Sequence, residues 1–138
     1  MNKKVLKLNY IIVAIFAFFG GISRYLLGLA VIKPDGFPLG TLIINLVGCF
    51  ILAFLVQYVE VTEKVPEWLN LGMKTGFIGA FTTFSTYSLE AVTLIETQQW
   101  WYALIYGLTT IVGGLLLTLV GYSFGNHVGD WRKQGDNL

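Results

Sequence analysis

GFIGAFTTFSTYSLE, residues 76–90, occupies a position where hydropathy demands a membrane helix, yet Thr82, Thr83, Ser85, Thr86 and Ser88 crowd into seven positions around Phe84 and Tyr87. Gly76 and Gly79 precede these hydroxyls, so the backbone there can leave helical geometry, with side-chain oxygens close by to satisfy it. Irregular backbone at membrane depth is tolerated only where protein buries it or where it lines a wet cavity. The expectation is a break near residues 79–83. Such a break frees carbonyl oxygens that can coordinate a cation, as discontinuous helices do in transporters. The plainer alternative is that the hydroxyls merely bond back to their own helix.

The surrounding chain reads as membrane throughout. Of 138 residues, 55% are hydrophobic and 12% charged, with a mean hydropathy of +0.68. These values lie outside the soluble range. A bilayer core of about 30 Å needs roughly 20 helical residues. Spans at about 10–29, 38–58, 68–89 and 100–124 fit the uncharged runs, joined by links carrying Lys33-Pro34-Asp35, 60–67 and 90–99. Tyr58, Trp68, Trp100, Trp101 and Trp131 fall near the span ends, where amphipathic rings prefer the interface. The whole chain, 1–138, is read as one four-helix membrane subunit. Lys3, Lys4 and Lys7 ahead of an apolar run also suit a signal peptide, but no small-x-small cleavage site follows.

Charge sets the orientation. With the N-terminus cytoplasmic, that side collects Lys3, Lys4, Lys7, Lys64, Arg132 and Lys133, against Lys33 alone on the other. The positive-inside rule therefore favours one topology.

Span two adds a second constellation, GTLIINLVGCF, residues 40–50. Thr41 and Asn45 are four apart and share a face, and Gly48 follows three residues later. An amide in hydrocarbon is costly unless partnered, either as glue between helices or by an ion. Intramembrane ionisable groups are functional candidates by default. Arg24 lies late in span one, Lys74 early in span three and Glu90 at its end, with Lys74 placed to snorkel. Most span glycines, Gly113-Gly114 and Gly121 among them, suit close helix packing. Cys49 has no partner for an intrachain disulfide. His127 follows the last span and reads as a surface residue, and no zinc or nucleophile-base pattern points to an enzyme.

An arginine in span one, G-T-x-x-x-N-x-x-G in span two and G-x-x-T-T-F-S-T-aromatic-S-x-E in span three together resemble the Fluc (also called CrcB) family of fluoride channels. The resemblance covers all four spans in order. It implies an antiparallel, dual-topology dimer in a microbial plasma membrane, with two pores, passive and selective export of fluoride, and a sodium ion at the centre of the interface. Under that resemblance Gly79 and Thr82 supply carbonyls to the sodium, Phe84 and Tyr87 take the paired aromatic positions, and Asn45 donates to the ion. Thr41, Ser85, Thr86 and Thr110 fall along the path, with Arg24 and Glu90 as structural or vestibule charges. Two departures stand out: Tyr87 replaces the commoner Phe, and Gly114 stands where many members carry a serine. The charge bias suits a chain of fixed orientation paired with a paralogue, where balanced loops would suit a homodimer.

Two other classes remain for comparison. A four-span drug or cation exporter needs a carboxylate in span one, which holds Arg24 and no acid. A non-transporting scaffold would use every polar residue for helix association and carry no ion flux. Nothing points to nucleic acid.

Overall fold

The computed structural model describes residues 3–31 and 36–135, so the link carrying Lys33, Pro34 and Asp35 lies outside the described residues. Among those described, every regular element is helical: α1 (Lys3–Ala30), α2 (Leu39–Thr62), α3 (Glu67–Leu71), a wider π-helical segment (Gly72–Ile78), α4 (Gly79–Phe81), α5 (Phe84–Glu96) and α6 (Trp100–Gly135). Three of them, α1, α2 and α6, are each long and apolar enough to cross a bilayer. The third span is composite. It runs from α3 to α5 and is interrupted where Thr82 (φ −79°, ψ 157°) and Thr83 (φ −148°, ψ 121°) are extended.

The break thus falls at the C-terminal end of the 79–83 window read from the sequence. The helix limits differ more. Residues 90–99, expected as a link, are largely helical, because α5 continues to Glu96. It ends in a Schellman motif, with Gln98 left-handed at φ 60°, its N–H bonded to Ile95 O and the Gln99 N–H to Leu94 O. Likewise α6 runs past residue 124 to Gly135, 36 residues in all, or about 54 Å at 1.5 Å per residue. Bilayer thickness limits the apolar run and not the helix, so charged turns continue into the interface.

Neighbour contacts give the direction of each crossing. A Cβ on Gly76 would lie 2.7 Å from Val13 O and one on Gly72 2.7 Å from the Phe16 ring, while Gly20 abuts the Phe77 carbonyl. Hence α1 runs alongside the third span in the same sense. Helix α2 runs against it: Thr41 meets Glu90, Asn45 meets Thr83, and Leu55 and Tyr58 share an apolar cavity with Leu69 and Met73. Helix α6 follows α2 in parallel, with Gly114 at Cys49, Gly121 at the Phe50 carbonyl, Gly125 at the Phe54 carbonyl and Gly129 at Val61. The four spans alternate up and down. Lys7, Lys64, Arg132 and Lys133 consequently gather at one end, where Arg132 donates to the Tyr58 hydroxyl.

Most large apolar side chains point outward, among them Ile11, Phe18, Leu115 and Leu119. In a bilayer those faces meet lipid, and the interior is free to be polar. A small apolar core of Leu42, Leu94 and Tyr106, flanked by Phe37, Leu46 and Tyr87, joins α2, α5 and α6.

Candidate functional site

Asn45 and the break form one unit. The Asn45 Nδ2 donates to the Thr83 carbonyl at 2.9 Å, and its Oδ1 accepts the Thr83 backbone N–H, also at 2.9 Å. A backbone N–H only donates and a carbonyl only accepts, so this pairing fixes which way the amide points. In an unbroken helix the Thr83 N–H would bond to the Gly79 carbonyl four residues back. Asn45 takes that donor and leaves the Gly79 carbonyl free of it. One Nδ2 hydrogen is also left over, since the amide carries two.

The rest of the break is held locally. Thr82 returns both its backbone N–H and its Oγ1 to the Ile78 carbonyl, each at 3.0 Å. Thr83 caps α5: its Oγ1 accepts the Thr86 N–H at 3.2 Å and donates to Thr86 Oγ1 at 3.0 Å, with Ser85 Oγ 3.3 Å away. Capping of this kind satisfies a donor that a helix start leaves orphaned. Gly48 is the residue of α2 that makes room, because a Cβ there would run into the Thr82 methyl. The hydroxyls divide into two groups. Thr82, Ser88 and Thr110 bond back to their own helices, whereas Thr41, Thr83 and Thr86 are turned to other uses.

Glu90 neither caps its helix nor stands alone. Its Oε1 accepts from Thr41 Oγ1 at 3.0 Å and its Oε2 from the Tyr106 hydroxyl at 2.9 Å. One carboxyl group thereby ties α2, α5 and α6 together. Tyr106 is wholly buried, 0% exposed, and sequence reasoning missed it. In the sequence it is one more ring in an apolar run, and its four-residue spacing to Thr110 was the available signal.

Three recesses follow one another along the third span. The outermost, about 340 Å³, is lined by Glu90, Thr93, Thr97 and Gln99. The next, about 250 Å³, holds Arg24, Thr41, Thr83, Thr86 and Glu90, so Glu90 borders both. The innermost, about 470 Å³, is lined by Asn45, Cys49, Thr82, Phe84, Tyr87 and Thr110, with Thr83 shared. Arg24 lines the middle recess without a hydrogen bond or ion pair among the described residues. The rings form a file: Phe84 lies 6.0 Å from Tyr87 at 32°, and Tyr87 lies 4.9 Å from Tyr106 at 46°. Phe84 is 80% exposed on the protomer's outer face.

The structure thus brings Thr41, Asn45, Thr82, Phe84, Thr86, Tyr87, Glu90, Arg24 and Thr110 to a row of neighbouring recesses. Ser85 meets them through Thr83, and Gly79 is not among the residues that line them. The family profile described as CrcB-like protein, Camphor Resistance (CrcB), matches residues 11–122. The chain belongs to the CrcB family. Among CrcB relatives, a Bacillus cereus protein named fluoride-specific ion channel FluC 1 is 47% identical over 126 residues, covering 90% of this chain and 88% of its own length. A protein of the same name from Latilactobacillus sakei is 50% identical over 109 residues, covering 76% of this chain and 78% of its own. A Listeria monocytogenes protein named fluoride-specific ion channel FluC 2 is 38% identical over 117 residues, covering 85% and 90%. As a CrcB chain with apolar membrane-length helices, this is a multi-pass membrane protein of a channel family and not an enzyme.

Proposed function

We propose that this chain is a subunit of a fluoride-selective channel that lets the ion leave a microbial cell down its gradient. The observation that carries the reading is the Asn45–Thr83 lock, which interrupts the third span and leaves a surplus amide donor on a residue that lines the innermost recess. Fluoride is small and tightly hydrated, so a pore must replace water with donors without holding the ion too firmly. The surplus Asn45 N–H and the Thr86 hydroxyl, which accepts from Thr83 and keeps its own hydrogen, are donors of that kind. Phe84 and Tyr87 add electropositive ring edges, the positive rim of the aromatic quadrupole.

The same geometry supports a two-subunit assembly. Phe84 is largely exposed, and a Cβ on Gly79 would meet nothing within 4 Å, so the break lies on an outer face that a second, antiparallel subunit can cover. The Gly79 carbonyl, deprived of its helical donor, and the Thr82 carbonyl, at the extended residue, are the groups to hold a central sodium ion. Bound there, the cation supplies fixed positive charge that offsets anion desolvation. Glu90 borders the outermost recess and, with Arg24, the next one inward. The basic residues gathered at one end favour a fixed orientation, hence a heterodimer with an oppositely inserted paralogue over a homodimer.

Growth of a fluoride-sensitive microbial strain tests this. Expression of the chain with such a paralogue restores growth in fluoride, and Asn45→Asp removes the protection. No rescue by wild type, with or without the paralogue, overturns the proposal.

A further inference from the structure

Most donors in the innermost recess are already committed. Of the side chains that line it, Asn45, Cys49, Thr82, Thr83, Tyr87 and Thr110 carry an N–H, S–H or O–H. Thr82 and Thr110 give their hydroxyl hydrogens to the Ile78 and Tyr106 carbonyls, and Thr83 gives its own to Thr86 Oγ1. Cys49 offers only a weak S–H. Two strong donors remain, the second amide hydrogen of Asn45 and the phenol of Tyr87.

The Tyr87 hydroxyl makes no hydrogen bond among the described residues. Nor is it sealed in, since the buried side-chain polar atoms without a partner among those residues are Gln57 Oε1 and Asn70 Oδ1. It lies 3.6 Å from where a Cβ on Gly107 would sit. Gly107 precedes Thr110 and Ile111 by three and four residues and so shares their face of α6, and both of those line the recess. The Tyr87 ring itself is held: it packs 4.9 Å from the Tyr106 ring and against the cluster of Leu42 and Leu94. Tyr106 spends its hydroxyl on Glu90, whereas Tyr87 has no acceptor. A polar hydrogen at membrane depth is costly unless something enters to accept it.

From this accounting we propose that the Tyr87 hydroxyl is the second donor to the anion in the innermost recess, beside Asn45, and that it sets how tightly the ion is held there. A ring edge attracts an anion through the quadrupole alone, whereas an O–H given to an ion is a charge-assisted bond, roughly twice as strong as a neutral one. With phenylalanine at 87, Asn45 would be the sole strong donor lining this recess. The inference rests on the recess being the ion path.

Fluoride efflux from proteoliposomes holding the assembled channel tests it, measured over a range of fluoride concentrations. Tyr87→Phe keeps the ring and its packing and removes only the hydroxyl. It raises the half-saturating fluoride concentration about tenfold, as expected for losing one hydrogen bond to a charged group, with an unchanged size-exclusion profile. Gly107→Ser puts a hydroxyl oxygen within reach of the phenol and gives its hydrogen another acceptor. It therefore shifts half-saturation the same way in the wild-type background and adds nothing to Tyr87→Phe, a coupling that a packing role would not produce. A Tyr87→Phe channel that saturates like wild type overturns the inference, as do equal shifts from Gly107→Ser in both backgrounds. So does a Tyr87→Phe variant that loses assembly while the remaining channels saturate normally, because the hydroxyl then bonds the second subunit. If wild type carries no fluoride, or Asn45→Asp conducts normally, the path itself has been misplaced; if only the Tyr87 hydroxyl is dispensable, the path stands and the second donor falls.

Discussion

Replacing Asn45 with Leu removes the two hydrogen bonds that hold the break while keeping the side chain's approximate volume. Each bond is 2.9 Å long and joins the amide to Thr83. A typical bond contributes about 0.5–1.5 kcal/mol net. The Thr83 N–H has an alternative acceptor, the Gly79 carbonyl, and the Thr83 carbonyl, as that of the α5 N-cap, still accepts the first N–H of its own helix. The expected loss is therefore about 1–3 kcal/mol of stability for the two bonds, together with partial closure of the break. Loss of a donor to a charged group adds about 1.5–3 kcal/mol to the barrier for the ion, which is roughly ten- to a hundredfold in rate. Fluoride efflux at matched protein density, with size-exclusion profiles for assembly, reads both effects. Asn45→Asp keeps the acceptor for the Thr83 N–H and so preserves half of the lock, yet it also stops flux by presenting a charge in place of a donor. If either variant, correctly assembled, conducts within twofold of wild type, the amide is helix glue and the reasoning fails.

Phe84→Ile keeps bulk and loses the ring edge, an effect of about 0.5–1.5 kcal/mol; flux falls severalfold with assembly intact by size exclusion, and a fast, selective variant would show that ring edges are not used. Tyr106→Phe deprives Glu90 of its 2.9 Å donor, at a cost of about 1–3 kcal/mol, and lowers the thermal midpoint measured by differential scanning fluorimetry. Gly48→Leu drives a side chain into Thr82 and shifts the break, so both the midpoint and flux fall. Exchanging sodium for a bulky organic cation during purification lowers flux, and unchanged flux after complete exchange would remove the central cation from the mechanism.

Much of the site was legible because membrane depth makes polar residues expensive. Asn45 and the hydroxyl run declared themselves by composition, and the break fell where glycines and hydroxyls adjoin. What the sequence hid was pairing. No local pattern shows that Asn45 takes the donor belonging to Gly79, or that Glu90 is gripped from two helices, because both depend on α2 running against the third span. The hold of Tyr106 on Glu90 was hidden for the same reason. The π-helical segment Gly72–Ile78 carries no proline or hydroxyl cluster to announce it, and nothing in the sequence shows that Phe16 and Val13 pack closely against Gly72 and Gly76. Helix ends were misjudged at 90–99 because a non-glycine residue, Gln98, takes the left-handed position. Buried Gln57, which donates to Asn126 at 3.2 Å, drew no notice within an apolar span.

The most direct measurement is fluoride efflux from liposomes containing this purified chain, alone and co-reconstituted with an oppositely oriented paralogue, followed by a fluoride electrode beside a chloride control. Rapid loss of fluoride without chloride, with the paralogue present, is the expected result; equal flux from the chain alone would reassign it as a homodimer and remove the charge-bias argument. No fluoride flux in either preparation, from protein shown to be folded and inserted, would contradict the channel reading itself.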